Sequence, residues 1–293
     1  MSDHQTIEMP SGEKVIFVDE DHSYWRFNEK TGKRGRRLTG VTTACKSLDI
    51  DPSNLLKWAA RTQMIGAATL IEQIGTDEAL DLMRDPDSCW KELELRQLTY
   101  NDVRDKAASE GTRVHEQAME ALAHGKPSPD TSGMSEAEKG KADAVAAFWF
   151  DHAPRVQLVE QVVYSERLGV AGRLDLVAEL TMDCEDPGCS CHDDDLIGPG
   201  VIDLKTGGFI SAAAHTQVGG GYPLLLQESG FDPVGWGLIL QVKEDGTYDL
   251  IRATGTPAGF EVAVLNYREA GRINGAHRKA RKARAEAREA VTI

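Results

Sequence analysis

Asp203 and Lys205 stand two apart in the run Val201-Ile202-Asp203-Leu204-Lys205-Thr206-Gly207. Val201 and Ile202 are β-branched and apolar, which reads as the start of a buried strand, and Gly207 with Gly208 ends it. Side chains alternate along a strand, so Asp203 and Lys205 face the same side. A carboxylate and an ammonium are costly to bury there unless something uses them. A divalent cation and a phosphate would use both, with Asp203 as a ligand and Lys205 beside the phosphate or an attacking water. The competing reading is a hairpin with a surface ion pair. Upstream, Val170-Ala171-Gly172-Arg173-Leu174-Asp175-Leu176-Val177-Ala178 reads as a partner strand carrying a second acid, Asp175.

Such acids need elements that bring further ligands to them. In the stretch from Glu110 to Leu122, Val114, Ala118 and Leu122 recur at helical spacing and make one buried stripe. His115 and Met119 lie beside it, and Glu116 and Glu120 are one turn apart on another face. Taken alone, His115 reads as a half-buried, hydrogen-bonded histidine. Val156 to Ser165 reads as a strand, and its Glu160 either points to solvent or faces the acids.

Gly-Arg-Leu-Asp, then Ile-Asp-Leu-Lys-Thr-Gly, preceded by Gly-Thr-x-x-His-Glu on a helix, resembles the PD-(D/E)XK nuclease superfamily, in its RecB-like branch. That branch includes phage exonucleases and the nuclease domains of recombination helicases. By motif order the resemblance spans Val15 to Ala253, and its specific part is confined to those three stretches. It implies an α/β fold with a restriction-endonuclease-like core, a central mixed β-sheet flanked by helices. It implies a DNA nuclease dependent on Mg2+ or Mn2+, an exonuclease of recombination, repair or phage DNA metabolism. By match, Asp175, Asp203, the backbone carbonyl of Leu204 and His115 hold the metal, and Lys205 is the catalytic lysine. Glu116 is a second helical candidate, since sister branches place a glutamate near the metal.

Arg173, Gln217 and Tyr222 are the DNA-binding candidates, the last two from a Gln-x-x-x-Tyr motif that positions DNA in the branch. Here the pair is five apart rather than four, with Gly219, Gly220 and Gly221 between, so the helix bulges or the pair does different work. His215 is a further candidate for phosphate contact. The resemblance implies DNA as partner, with a recombination or single-strand-annealing protein or a helicase beside it, in a bacterial or phage-infected cell. An endonuclease of the same chemistry is one rival. A non-catalytic DNA-binding or partner-recruiting module is the other, and the filled catalytic positions count against it.

A second set of ligand types lies between the two acids. The 27 residues separating Asp175 from Asp203 include Cys184-Glu185-Asp186-Pro187-Gly188-Cys189-Ser190-Cys191-His192. Cys184, Cys189, Cys191 and His192 satisfy the ligand count of a structural Zn2+ site. Adjacent Cys191 and His192 reach one tetrahedral ion only with difficulty, so three cysteines with a ligand from elsewhere is the variant reading. A flexible acidic loop is the bland one.

Length and composition set the frame. The chain has 293 residues, 41% of them hydrophobic, enough for a single domain with a real core. A net charge of −14 opposes binding to phosphates, but Arg268 to Glu289 holds eight Lys/Arg against three Glu. A basic stripe and bound cations can still hold DNA locally. Five cysteines, three of them clustered, argue against a secreted disulfide framework. No signal-like start and no apolar run of membrane length are present, so the expectation is a soluble cytoplasmic protein with no membrane partner.

The expected organisation is a hairpin and helical region over 1–109, a nuclease core over 110–256 with a Cys-rich insertion at 182–200, and a basic helix over 258–292. In the first region Val15–Val18 and Tyr24–Phe27 pair, Thr31 to Arg37 is a basic turn, and Pro52 to Ala68 is a helix. Leu70 to Ser109 is helical, broken at Gly75 and Pro86, with Trp90, Leu93, Leu95 and Leu98 in the core. In the second, Ser135 caps a helix with Glu138 three residues on, Ser211 to Leu226 is helical, and Val234–Val242 pairs with Thr247–Ala253. Breaks in the last helix are expected near Gly271 and Gly275.

Overall fold

Alternating apolar residues near the amino terminus build an antiparallel meander of β1 (His4–Glu8), β2 (Lys14–Val18), β3 (Ser23–Asn28) and β4 (Lys33–Arg37). The computed structural model describes residues 4–49 and 53–291. β2 and β3 are the predicted hairpin. The basic stretch expected as a turn is mostly the edge strand β4, where Arg37 lies 5.8 Å from the centre of the Trp25 ring. Charged side chains on an edge strand discourage pairing with other chains.

Next come β5 (Thr39–Gly40), α1 (Val41–Cys45), α2 (Ser53–Ile74), α3 (Thr76–Met83), α4 (Pro86–Leu95) and α5 (Tyr100–Ala123). The breaks fall at Gly75, with φ of +88°, and before Pro86, where Asp85 caps α4. Leu93 is buried as expected, but Leu95 is 78% exposed, because α4 turns that face to solvent. Pro52 and Thr292, the expected first and last residues of two helices, lie outside the described residues. α6 (Glu136–His152) begins with the predicted reciprocal cap between Ser135 and Glu138.

Strands β6 (Arg155–Ser165), β7 (Val170–Glu179), β8 (Gly200–Lys205), β9 (Trp236–Val242) and β10 (Tyr248–Arg252) form a mixed sheet with β5. β7 is its axis. Along one edge it pairs with β6 throughout; along the other it pairs with β5 at Val170–Ala171 and with β8 only from Leu176 to Ala178. The sheet therefore forks at Gly172 to Asp175. Parallel pairing joins β5 to β7 and β8 to β9, and the other neighbours are antiparallel.

Helices cover both faces. Leu176, Ile202 and Leu238 bury against Ala118 of α5 and Val145 and Phe148 of α6. Val177, Val201 and Ile239 bury against Val218, Leu225 of α8 (Tyr222–Glu228) and Phe260 of α9 (Pro257–Val291). A fully buried side chain of this size contributes about 1.5–3 kcal/mol. The α/β class and the helix-flanked mixed sheet thus match the expectation. α9 is continuous, contrary to the expected breaks: a Cβ at Gly271 or Gly275 would meet nothing within 4 Å, so neither glycine marks a close approach. Among the described residues no helix is long and apolar enough to cross a membrane.

Candidate active site

Strand register sets the acids side by side. β7 and β8 pair as Leu176 with Ile202 and Val177 with Val201, so one step further Asp175 stands opposite Asp203. β6 and β7 pair as Val159 with Leu176 and Gln161 with Leu174, which sets Glu160 opposite Asp175. Directly opposed residues project to the same face. Three carboxylates thus form one row across three strands, at the fork where β5 and β8 part along β7. The fork opens a cavity of about 480 Å3 lined by all three acids with His115, Lys205 and Arg173.

Two glycines make the approach to this row close. A Cβ at Gly111 would lie 2.5 Å from Thr206 Oγ1, so glycine there lets α5 reach the end of β8. A Cβ at Gly172 would lie 2.8 Å from Val41 Cγ2, so glycine there lets α1 close the fork. With α5 seated, His115 Nε2 is 3.1 Å from Asp175 Oδ2 and its Nδ1 is 3.7 Å from Glu160 Oε1. Ligand atoms of His115, Glu160 and Asp175 all lie within 4.8 Å of one another. Arg173 Nε binds Glu160 Oε2 at 2.6 Å, and its guanidinium sits 5.3 Å from the centre of the Phe17 ring.

Asp203 and Lys205 face the same side, as strand alternation predicts, and form an ion pair. The Lys205 ammonium is the partner of the buried Asp203 Oδ2. Asp203 is 1% and Asp175 9% exposed. Burial pushes Asp203 up to about 6, the Lys205 charge opposing and the Asp175 charge assisting. Burial pushes Asp175 upward too, but His115, Lys205 and the Leu204 N–H outweigh it and hold Asp175 below the usual carboxylate value. Burial lowers His115, yet its bond to Asp175 and the charges of Asp175, Glu160 and Asp203 leave it above an ordinary histidine. Burial raises Glu160.

The structure rearranges the expected ligand set. The tight group is His115, Glu160 and Asp175; Asp203 lies beside it with its carboxylate turned to Lys205. Glu116 is exposed and outside the group, because one residue's step round α5 carries it away from His115. Glu160 takes the place expected of it. Periodicity left Glu160 ambiguous because its backbone is irregular: φ is +51°, a left-handed conformation costing a non-glycine residue about 1–2 kcal/mol. Leu204 enters the site through its N–H, which donates to Asp175 Oδ2 at 2.8 Å.

Gln217 and Tyr222 do meet. Residues Gln217–Gly221 form a single π-helical turn, which brings residues five apart onto one face. Gln217 Nε2 donates to the Tyr222 hydroxyl at 2.7 Å, and that hydroxyl donates to the Arg173 carbonyl at 2.8 Å. The pair braces β7 just before Asp175. The glycines of this turn permit backbone contact: a Cβ at Gly220 would lie 2.2 Å from the Thr256 carbonyl. His215 is not in the cavity; its Nδ1 accepts the Thr254 N–H at 3.3 Å. His22, Thr42, Thr43 and Lys46 line the cavity without having been singled out for the site. The Val-Thr-Thr run after Gly40 was the available signal.

The cysteine-rich connection forms a second cluster. Cys184 Sγ is 3.5 Å from Cys191 Sγ, and Cys189 Sγ is 4.0 Å from His152 Nε2 at the end of α6. The four ligand atoms lie within 4.8 Å of one another, an arrangement that could hold a metal ion. The histidine grouped with all three cysteines is His152; His192 falls in a second group with Asp183 and Cys191. His192 follows Cys191 in a single 3-10 turn, which sends its ring outward, and its Nε2–H donates to the Asp186 carbonyl at 2.9 Å. Burial raises the Cys189 and Cys191 thiols and lowers His152.

No protein-family model matches this chain, and no curated protein matches it.

Proposed function

We propose that the chain is a metal-dependent DNA nuclease of the PD-(D/E)XK type on a restriction-endonuclease-like core, acting as an exonuclease in recombination, repair or phage DNA metabolism. The observation that carries this reading is the row of Glu160, Asp175 and Asp203 across three strands, with Lys205 paired to Asp203 at an open cavity. The donors fit a hard cation. They are carboxylate oxygens and one imidazole. Asp175, Glu160 and His115 would hold Mg2+ or Mn2+, with Asp203 beside them. When bound, the ion lowers the pKa of a coordinated water and polarises the scissile phosphate.

The chain's own residues prepare that chemistry. Arg173 fixes Glu160, and the Leu204 N–H fixes Asp175. Lys205 stays protonated beside Asp203 and presents an ammonium to the cavity, where it orients water or stabilises charge on phosphate oxygens. Thr42, Thr43 and Lys46 at the rim suit a phosphate backbone, and the Lys and Arg residues of α9 add a second contact for DNA. A separate chain, a helicase or a single-strand-annealing protein, would deliver the substrate.

The test is end-labelled linear duplex and single-stranded DNA, with circular DNA beside them, incubated with Mg2+, Mn2+ or EDTA. Metal-dependent loss of label from linear substrates, abolished by Asp203→Ala and by Lys205→Ala, is the expected result. Nicking of circular DNA would make the enzyme an endonuclease. DNA retention on a gel with every substrate intact would make the chain a binding module.

A further inference from the structure

We propose that Cys184, Cys189, Cys191 and His152 bind one Zn2+ ion, closed to substrate, that fastens the connection between β7 and β8 to the end of α6. The ligands come from two separate parts of the chain, and the fold brings them together. The spacings suit a tetrahedral ion. Bonds of about 2.3 Å to sulfur and about 2.0 Å to nitrogen give ligand–ligand edges of roughly 3.5–3.8 Å. The observed edges are 3.5 Å between Cys184 and Cys191 and 4.0 Å between Cys189 and His152.

The imidazole has an acceptor placed for the tautomer a metal ligand needs. His152 is fully buried, and its Nδ1 lies 3.4 Å from the Met182 carbonyl. A carbonyl only accepts, so a proton on Nδ1 has its partner there and leaves the Nε2 lone pair for an ion. A backbone carbonyl on the far nitrogen is the usual outer support of a metal-binding histidine. The Tyr248 hydroxyl, 2.9 Å from Nε2, also lies 2.7 Å from Asp151 Oδ2. That hydroxyl already donates to Asp151, so it does not need the Nε2 lone pair. A disulfide between Cys184 and Cys191 would leave Cys189 and the buried imidazole without a use.

Four protein ligands leave no open position, which marks a structural rather than a catalytic zinc site. The ion would lie where the chain most needs fastening. Between Glu179 and Gly200 the only regular element is the single turn Ser190–His192. The Thr181 and Met182 N–H groups already donate to the His152 carbonyl, so the ion would add a side-chain link to an existing main-chain junction. That junction joins the strands carrying Asp175 and Asp203 to the helix packed behind them.

The test reads the metal directly and does not depend on nuclease activity. The full chain, purified without an affinity metal, is analysed for zinc by mass spectrometry and then reconstituted with Co2+. One zinc per chain is expected, released by a thiol-directed mercurial, with thiolate-to-cobalt charge transfer and tetrahedral visible bands after exchange. His192→Ala should keep the full zinc content, whereas Cys189→Ser and His152→Ala lose most of it. His152→Cys should retain the ion and shift the cobalt bands towards a four-thiolate spectrum. A metal-free native chain with three free thiols or a Cys184–Cys191 disulfide overturns the proposal. So does zinc kept by His152→Ala and lost by His192→Ala. If the cysteine and histidine variants fail to fold, the native cobalt spectrum decides: tetrahedral thiolate bands support the site, and their absence overturns it.

Discussion

The carboxylate cluster lies on β6, β7 and β8 and the thiol cluster in the connection between β7 and β8, and the two are built on opposite physical plans. The first is charged, lines a cavity, and pairs the buried Asp203 carboxylate with the Lys205 ammonium. The second is made of groups that burial keeps neutral, two thiols pushed up and an imidazole pushed down. Carboxylates with one imidazole suit an exchangeable Mg2+ or Mn2+; three thiols with one imidazole suit a resident ion, although Cys184 and Cys189 also line a cavity of about 660 Å3. The lesson is that metal-ligand residue types alone do not distinguish a working site from a fastening one. The number of ligands the fold brings together and the charges around them do.

The comparison breaks first at Asp203 and Lys205. Under the proposed chemistry, Asp203→Asn and Lys205→Ala each lower the single-turnover cleavage rate by about 10³-fold or more, while zinc content is unchanged. Glu160→Ala comes next, with a loss of about 10–100-fold that extra Mn2+ partly restores, since it removes one ligand from a set of several. Equal damage from both would mean that the cation is shared more evenly than the geometry indicates.

Stability should move the opposite way from activity at Asp203. Its folded pKa, about 6, lies above the ordinary 3.8, so the folded state holds its proton more tightly than the unfolded chain does. The group therefore favours folding below the ordinary value, and that contribution is lost as pH rises through about 4 to 6. Asp203→Asn should be more stable than the native chain by about 1–3 kcal/mol at pH 8 without divalent ions. Urea denaturation across pH should show the gap closing towards pH 4, and Mg2+ should narrow it at pH 8.

Gly111→Ala tests how closely α5 must sit. Its Cβ would clash with Thr206 Oγ1 at 2.5 Å, and a cost of about 1–3 kcal/mol is expected, with slower cleavage from a displaced His115. The smallest effect belongs to Glu116→Ala. Exposed and outside the cluster, it should leave cleavage within about threefold of the native chain. A loss at Glu116 as large as that at Glu160 would restore the helical glutamate to the site.

Local pattern was enough for several of these features. Alternation placed Asp203 and Lys205 on one side of β8, helical spacing buried Val114, Ala118 and Leu122, and the Ser135–Glu138 cap fixed the start of α6. Each depends on neighbours within a few residues, which a sequence displays directly. Glu160 was less legible because its left-handed backbone interrupts the period that would have shown its direction. The five-residue step from Gln217 to Tyr222 looked like a departure from helix, and a π turn makes it a contact.

The sequence by itself determined the chemical inventory and its local geometry: two acids and a lysine on strands, a histidine on an amphipathic helix, three cysteines in one connection. Only the tertiary structure decided which of them meet. It chose His152 over His192 because the end of α6 packs beside the cysteine connection, while the adjacent ring is turned away by its own backbone. It chose Glu160 over Glu116 because strand register aligns residues far apart in the chain, whereas one step round a helix rotates a side chain by about 100°. Spacing along a chain fixes direction only within one element; between elements, packing and register fix it.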